Sequence, residues 1–360
     1  MKIRAGILAA AILANTVSCG LFDRKEQNSE PDISWLEHSQ NAISSTIYYV
    51  SPAGSDDSSG ISEEGAFATL RKAIENVHPG GRVHILPGTY HESIAVEGLG
   101  DAAAYIGISG VNGIPVFDGQ HSEPFGLWAG HSTHVIFDNI EFRNYTDFGI
   151  GAGESNLLFF QNLVLQDNGH AVQLKSWDLE GYGIHVDESA NITISGCDVY
   201  ENGPDPQKPP NYIMGTGINT YGNVNVTITY NRSHHNTGGG ILVEDSEGVY
   251  VENNQIYANN LDATVDEWWD GGIWVDGGKN VILRDNNIYD NFGPGIEISD
   301  EDNQNPTGYR LEGNTCTGNY FGIFIWNFGT DTWPNSTIIS KMNNDFSGNT
   351  RQDVWIEPWW

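Results

Sequence analysis

The chain is poor in cysteine and in positive charge, and each shortage excludes something. Of its three cysteines, Cys19 lies in the first twenty residues, and only Cys197 and Cys316 remain for the body. Two thiols cannot build the dense disulfide framework of small secreted modules. No CxxC or HExxH pattern occurs, so the common redox and zinc motifs are excluded and no metal ligand set is expected. Lysine and arginine total 16 against 47 acids, a formal net charge of −31. Such a chain repels nucleic acid and is not drawn to anionic lipid. It also repels anionic polysaccharide unless a cation bridges the two. Solubility in a salty medium is the plainer meaning of the same charge. The apolar stretch Ala5 to Ala14 is too short to cross a bilayer.

What is present begins with a targeting segment. Lys2 and Arg4 precede that apolar stretch, and Thr16-Val17-Ser18-Cys19-Gly20 follows it. The pattern resembles a bacterial lipoprotein signal, except that Thr16 stands where that family usually has leucine. Ordinary signal cleavage nearby is the alternative. The resemblance implies lipidation at Cys19 and a position on the cell surface or periplasmic face, most simply at the outer membrane. The lipid is then the sole membrane contact. Residues 1–19 are read as the signal, 20–45 as a flexible tether rich in Ser, Glu, Asn and Asp, and 46–360 as one domain.

That domain repeats. Gly240-Ile241-Leu242-Val243-Glu244, Gly272-Ile273-Trp274-Val275-Asp276, Gly295-Ile296-Glu297-Ile298-Ser299 and Gly322-Ile323-Phe324-Ile325-Trp326 are variants of one phrase. Upstream copies start at Gly126, Gly149, Gly183 and Gly217. Each alternates apolar and variable residues, the period of a strand with one buried face. A second phrase follows each first one, as in Val249 to Tyr257 and Val281 to Tyr289. Aligned this way, Asn162, Asn231, Asn254, Asn286, Asn314 and Asn344 share one column; Asn202, Asn236, Asn259, Asn291, Asn319 and Asn349 share another. Asparagine tolerates left-handed backbone, and stacked amides can pair along a column. Short strands with Asn or Gly corners, repeated at this period, predict an all-β fold: a single-stranded right-handed parallel β-helix. A solenoid accommodates the whole length as one domain, expected to be a monomer.

These repeats resemble those of the pectin-lyase-like superfamily of carbohydrate-active proteins, over roughly residues 46–360. The resemblance implies a carbohydrate substrate. It specifies activity poorly, because the fold hosts lyases, hydrolases, epimerases and adhesins. Phe67, Leu70, Ile74 and Val77 fall at helical spacing, so an amphipathic helix over 66–77 is expected to cap the open end. Insertions at 169–182, 203–216 and 260–271 precede first-phrase strands and are expected to line one rim. Further insertions at 300–308 and 327–336 follow such strands. Together they carry Trp177, Tyr182, Tyr212, Trp268, Trp269 and Trp333. Insertions on one face of a repeat protein mark its binding face. Cys197 and Cys316 fall on distant coils and are expected to be buried thiols.

In each first phrase the Ile and Val point inward, so the residues between and after them face out. The first outward column reads Trp128, Gly151, His185, Asn219, Leu242, Trp274, Glu297, Phe324. The second reads Gly130, Gly153, Asp187, Tyr221, Glu244, Asp276, Ser299, Trp326. Five of these positions are aromatic, nearly three times the chain average of 11%. Four are acids: Asp187, Glu244, Asp276 and Glu297. Aromatic faces stack on sugars, and carboxylates bond hydroxyls or move protons. His185, Asn219, Tyr221, Trp274, Phe324 and Trp326, with Trp177, Trp268 and Trp269 on the insertions, are the expected sugar contacts. Solvated surface acids are the alternative, and so is a Ca²⁺ site, since that ion takes oxygen ligands. His185 and Asp187 could be a base and its orienter or half a metal site, but a surface pair is the simpler reading. His234 and His235 are read as structural. Asp300, Glu301 and Asp302 form a loop acid run, solvated or calcium-binding.

Strand spacing sets the geometry. Glu244 and Asp276 share a column about 5 Å apart, and Asp276 and Glu297 are diagonal at roughly 8 Å. The first suits a retaining pair of carboxyls and the second nears the inverting range. Trp274-Val275-Asp276 followed a coil later by Glu297 also resembles the layout of the β-helix β-xylosidases. That resemblance makes Asp276 a nucleophile or base and Glu297 the general acid, its carboxyl raised by lying between Trp274 and Phe324. The leading expectation is therefore a glycoside hydrolase that requires no cofactor. A Ca²⁺-assisted polysaccharide lyase is the first alternative, disfavoured because no outward position is Lys or Arg. A non-catalytic glycan-binding protein is the second.

Overall fold

The computed structural model describes residues 46–170, 178–205, 212–263, 270–300, 308–326 and 339–357. The expected signal and tether therefore lie outside the described residues. So do Cys19, Trp177, Trp268, Trp269, Trp333, Glu301 and Asp302.

Among the described residues, nearly every element is a short strand, and every pairing between named strands is parallel. The strands form three sheets that run the length of the solenoid. The groove sheet has ten strands, from Ile94–Glu97 to Gln352–Glu357. The back sheet has eleven, from Ile47–Val50 to Ile339–Met342. The third sheet has nine, from Thr89–Tyr90 to Thr315–Thr317. Each coil contributes one strand to each sheet, so strands adjacent in space are a whole coil apart in sequence. The inward Ile, Leu and Val residues of all three sheets stack into one continuous core, fully buried at positions such as Ile184, Ile241 and Ile296. Truncating one such residue to alanine costs about 2–5 kcal/mol.

The corners follow from backbone sterics and polar accounting. After each back-sheet strand from Thr133–Asp138 onward one residue takes positive φ: Asn139, Asn162, Gly196, Tyr230, Asn253, Asp285, Gly313 and Asn343. Asn, Asp and Gly tolerate that conformation best. The next residue points inward. From Asn231 onward it is an asparagine whose Oδ1 accepts the backbone N–H of the preceding coil's equivalent residue. That Oδ1 also accepts the preceding amide's Nδ2, at 2.9–3.1 Å. Nδ2 makes a second bond to a strand carbonyl, as Asn254 does to Ile228 at 2.9 Å. All four hydrogen-bonding capacities of such an amide are filled, which is why a buried column tolerates it. The second column behaves alike and begins earlier, at Asn168.

Several expectations need correction. Asn162 is not in the first ladder. The register places Gln161 beside Ser195 and Thr229, so Asn162 aligns with Gly196 at the left-handed corner. The ladder's first described donor is instead Cys197 N–H, to Asn231 Oδ1. The capping helix spans Leu70–Ile74, not 66–77. Phe67 instead pairs with Tyr49 and Ser51 as extended chain. Thr69 then caps the helix by accepting from Lys72 N–H. Leu70, Ala73, Ile74 and Val77 are buried, so the apolar pattern held while the helical segment shrank. Two rim insertions are partly strand. Asp178–Asp187 and Tyr212–Tyr221 are ten-residue strands paired along their whole length. Once one strand overruns the sheet, the other finds backbone partners by following it. The roots of these insertions cross closely, and a Cβ on Gly181 would lie 2.5 Å from Gly169 Cα. A further correction concerns the His185–Asp187 pair and is taken up with the groove. Cys197 and Cys316 are free and buried, and burial pushes both thiols up. His234 stacks between Tyr200 and Tyr257 in the third sheet, away from the groove, a structural place.

Candidate functional site

The register of the groove sheet puts the outward residues in the columns the repeat predicts. Trp128, Gly151, His185, Asn219, Leu242, Trp274, Glu297 and Phe324 are successive neighbours. Gly130, Gly153, Asp187, Tyr221, Glu244, Asp276 and Ser299 form the second column. Each column gains a member at its N-terminal end, Ala95 and Glu97. Facing out of the core does not mean facing water. Asn219, Leu242, Trp274, Glu297 and Phe324 are all buried.

Two polar centres lie in these columns. In the first, Trp274 Nε1 donates to Ser299 Oγ and Ser299 Oγ donates to Asp276 Oδ1, both at 2.7 Å. A relay of that kind fixes the orientation of the carboxylate. Asp276 is 8% exposed and Glu297, beside Trp274 on the next strand, 1%. The Gly271 backbone packs on that strand so tightly that an added Cβ would lie 2.9 Å from Glu297 Cβ. Glu244 is in register with Asp276 on the other side. Asp300, expected to be a loop acid, is fully buried. Burial first, then the charges of Asp300, Asp276 and Asp245, drives the Tyr309 phenol well above its usual range. The structure thus collects Glu244, Asp276 and Glu297 on three consecutive strands.

Asp187 is not part of that group. Tyr221 separates it from Glu244, and it belongs to the second centre, built on His185. The Tyr182 ring stacks on His185 with centroids 4.9 Å apart. Phe148 and Trp128 complete the aromatic surround at 5.8 and 6.3 Å. His185 Nδ1 meets Asn219 Nδ2 at 3.0 Å, while Nε2 is 3.9 Å from Asp187. Burial lowers the imidazole to about 4, against an opposing pull from Glu180, so it is neutral at pH 7. This corrects the surface-pair expectation: His185 is mostly covered and its close partner is Asn219. Asp187 is raised, by burial first and then by Glu154. The Trp128 ring packs against Gly153, where a Cβ would come within 2.6 Å of it. A cleft of about 150 Å³ opens there among Glu97, Trp128, His131, Glu154, Asp187 and Glu188.

Sequence reasoning missed Phe148 as a groove residue and treated Tyr182 only as a loop aromatic. Both belong to an aromatic column immediately before the first phrase, with Phe125, Phe148 and Tyr182 in register. The signal was the aromatic preceding Gly126, Gly149 and Gly183, outside the phrase as it was bounded. Ser299 was aligned correctly but given no part, because its role depends on the Trp274 indole one strand away.

The comparisons with known proteins agree with this geometry. Residues 174–350 match the family model described as "Right handed beta helix region". Pectate lyase Pel9A superposes with a TM-score of 0.63 at 20% identity, over 87% of this chain and 79% of the lyase. The chain has the fold of a right-handed parallel β-helix. Alginate lyase from Paenibacillus sp. str. FPU-7 gives 0.58 at 15% identity, covering 80% of this chain and 95% of its own. GH136 lacto-N-biosidase from Eubacterium ramulus gives 0.54 at 14%, covering 90% and 70%. In sequence, the uncharacterised protein YwoF of Bacillus subtilis (strain 168) is 26% identical over 326 residues, 82% of this chain. The chain spans 64% of that relative's length.

Proposed function

We propose that the protein is a glycoside hydrolase that cleaves a poly- or oligosaccharide in the groove. The observation that carries this is the pair of buried carboxyls at Asp276 and Glu297, on neighbouring strands and flanked by Trp274 and Phe324. Their environments differ in the way acid–base division needs. Asp276 accepts from Ser299 and is suited to stay ionised, as base or nucleophile. Glu297 lies in an apolar row and is suited to hold a proton for the leaving oxygen. The solved structures of the same fold that bear the names of carbohydrate-processing enzymes support the substrate class. No cation is required by this chemistry, and Ca²⁺ is an optional guest of the acid columns. Anchoring through a lipid at Cys19 would hold the domain, acting as a single chain, at the bacterial surface.

Incubating the mature protein with a broad glycan panel and weighing the products tests the reading. Products heavier by one water per cut, formed equally well in a chelator, are expected. Unsaturated products that need Ca²⁺ would replace hydrolysis by elimination. Retention of a glycan without products would leave a binding protein.

A further inference from the structure

The His185 centre does not share the chemistry of the Asp276 pair, and it makes a demand of its own. Asn219 is 4% exposed, and its Nδ2 lies against His185 Nδ1. Its Oδ1 accepts no hydrogen bond from any described residue, though it is buried. An orphaned acceptor of this kind is unusual in a folded interior, where nearly every such group is satisfied. Leaving it unmade opposes folding, so its retention calls for an explanation.

The surroundings say what would satisfy it. Glu180 takes the Tyr182 hydroxyl at 3.2 Å. Glu180, Glu244 and Asp270 all act on that phenol and push it up, after burial. Asp187 stands on the other side of the imidazole. The subsite is therefore rich in acceptors, and the charges around it are negative. His185 accepts at Nδ1, so it offers a donor only at Nε2, turned toward Asp187. A uronate carboxylate placed here would meet acids with no lysine or arginine in the flanking columns. A group carrying N–H or O–H would meet the partner it needs.

We infer that the Tyr182–His185–Asn219 subsite receives a sugar unit that bears no carboxylate, with Asn219 Oδ1 accepting from a hydroxyl or amine on that sugar. The ring lies against the aromatic surround of Tyr182, Trp128 and Phe148. This rests on the glycan-cleaving reading of the groove and narrows it to neutral or amino sugars, against the uronates that the fold's lyase neighbours are named for.

The test is binding, kept apart from turnover by using the Glu297→Gln protein. It is applied to an immobilised panel of neutral, amino and uronic oligosaccharides matched in length and linkage, with and without Ca²⁺. The neutral or the amino set is expected to bind, the better of the two naming the donor, and the uronic set to fail under both conditions. Asn219→Leu should weaken binding about tenfold, the worth of one buried hydrogen bond. Its melting temperature should fall only by the worth of the lost Nδ2 bond to His185 Nδ1, because the Oδ1 acceptor it also removes has no partner among the described residues. Asn219→Asp keeps an acceptor in place and should bind. Preference for the uronic set, no binding by the neutral and amino sets, or equal binding by Asn219→Leu would overturn the assignment. Loss in Asn219→Asp as well would mean that the amide nitrogen faces the sugar, and would overturn it too. Hydrolysis of a uronate by the wild type would sink this inference and leave the hydrolase standing. Binding without turnover would do the reverse.

Discussion

Asn254 and Asn219 are both buried asparagines of the same solenoid, one in a corner ladder and one in the groove. Every polar atom of the first is bonded within the protein. The second keeps an acceptor unfilled. The same contrast separates the two regions as wholes. The ladders repeat a single residue because each coil must satisfy the coil before it. The groove columns keep no single residue from coil to coil, and aromatics, acids, glycines and a histidine succeed one another. Regularity marks the part of a repeat that holds itself together, and irregularity at a fixed strand position marks the part that faces something else.

The comparison can be broken from either side. The largest expected effect is in the groove: Glu297→Gln or Asp276→Asn should lower kcat about 10²–10⁴-fold with the fold intact, read by kinetics beside a thermal melt. Unchanged turnover in both would remove the assignment. In the ladder the effects should exchange. Asn254→Leu takes the Oδ1 acceptor from Asn231 N–H and from one Nδ2 hydrogen of Asn231, and the Nδ2 donor from the Ile228 carbonyl. It should destabilise by about 3 kcal/mol in a denaturant titration, leaving kcat of the folded fraction unchanged.

His185 gives a smaller, pH-dependent effect. Its folded value is lowered to about 4 from an ordinary 6.5. Between those values the unfolded chain binds a proton that the folded one does not. Stability therefore falls as pH drops through that window and is fully present above it. After allowance for partial exposure, about 2 kcal/mol should be lost from pH 7 to pH 4. The difference between wild type and His185→Phe, measured across that range, isolates it. A difference that does not change with pH would mean the imidazole is not desolvated. Smallest is Ser299→Ala, which removes the bond to Asp276 but not the carboxylate. It should cost about tenfold in kcat and move the acidic limb of the pH–rate profile upward, because the ionised form loses a donor.

The fold was legible because its rule is local and repeated: alternation fixes the strands, and the corner residues fix the turns. The columns of the candidate site were legible for the same reason, since one register carries every outward residue. What escaped depended on a single residue of offset or on contacts between coils. Asn162 looked like a ladder residue but sits one place earlier, at the left-handed corner. The cap pattern Phe67, Leu70, Ile74, Val77 fits a helix, yet Phe67 pairs with Tyr49 and Ser51 instead, and burial alone does not choose between helix and extended chain. Tyr182 was read as loop because its strand overruns the sheet only when its neighbour does. The covering of His185 and Glu297 is likewise a property of the stack, invisible in any one coil.

The account stands on the two carboxyls of the groove performing hydrolysis, and cleavage in water labelled with heavy oxygen tests that most directly. The prediction is one heavy oxygen in the new reducing end for each bond cut, with incorporation abolished in Glu297→Gln. Products that form without incorporation and carry a double bond would contradict it.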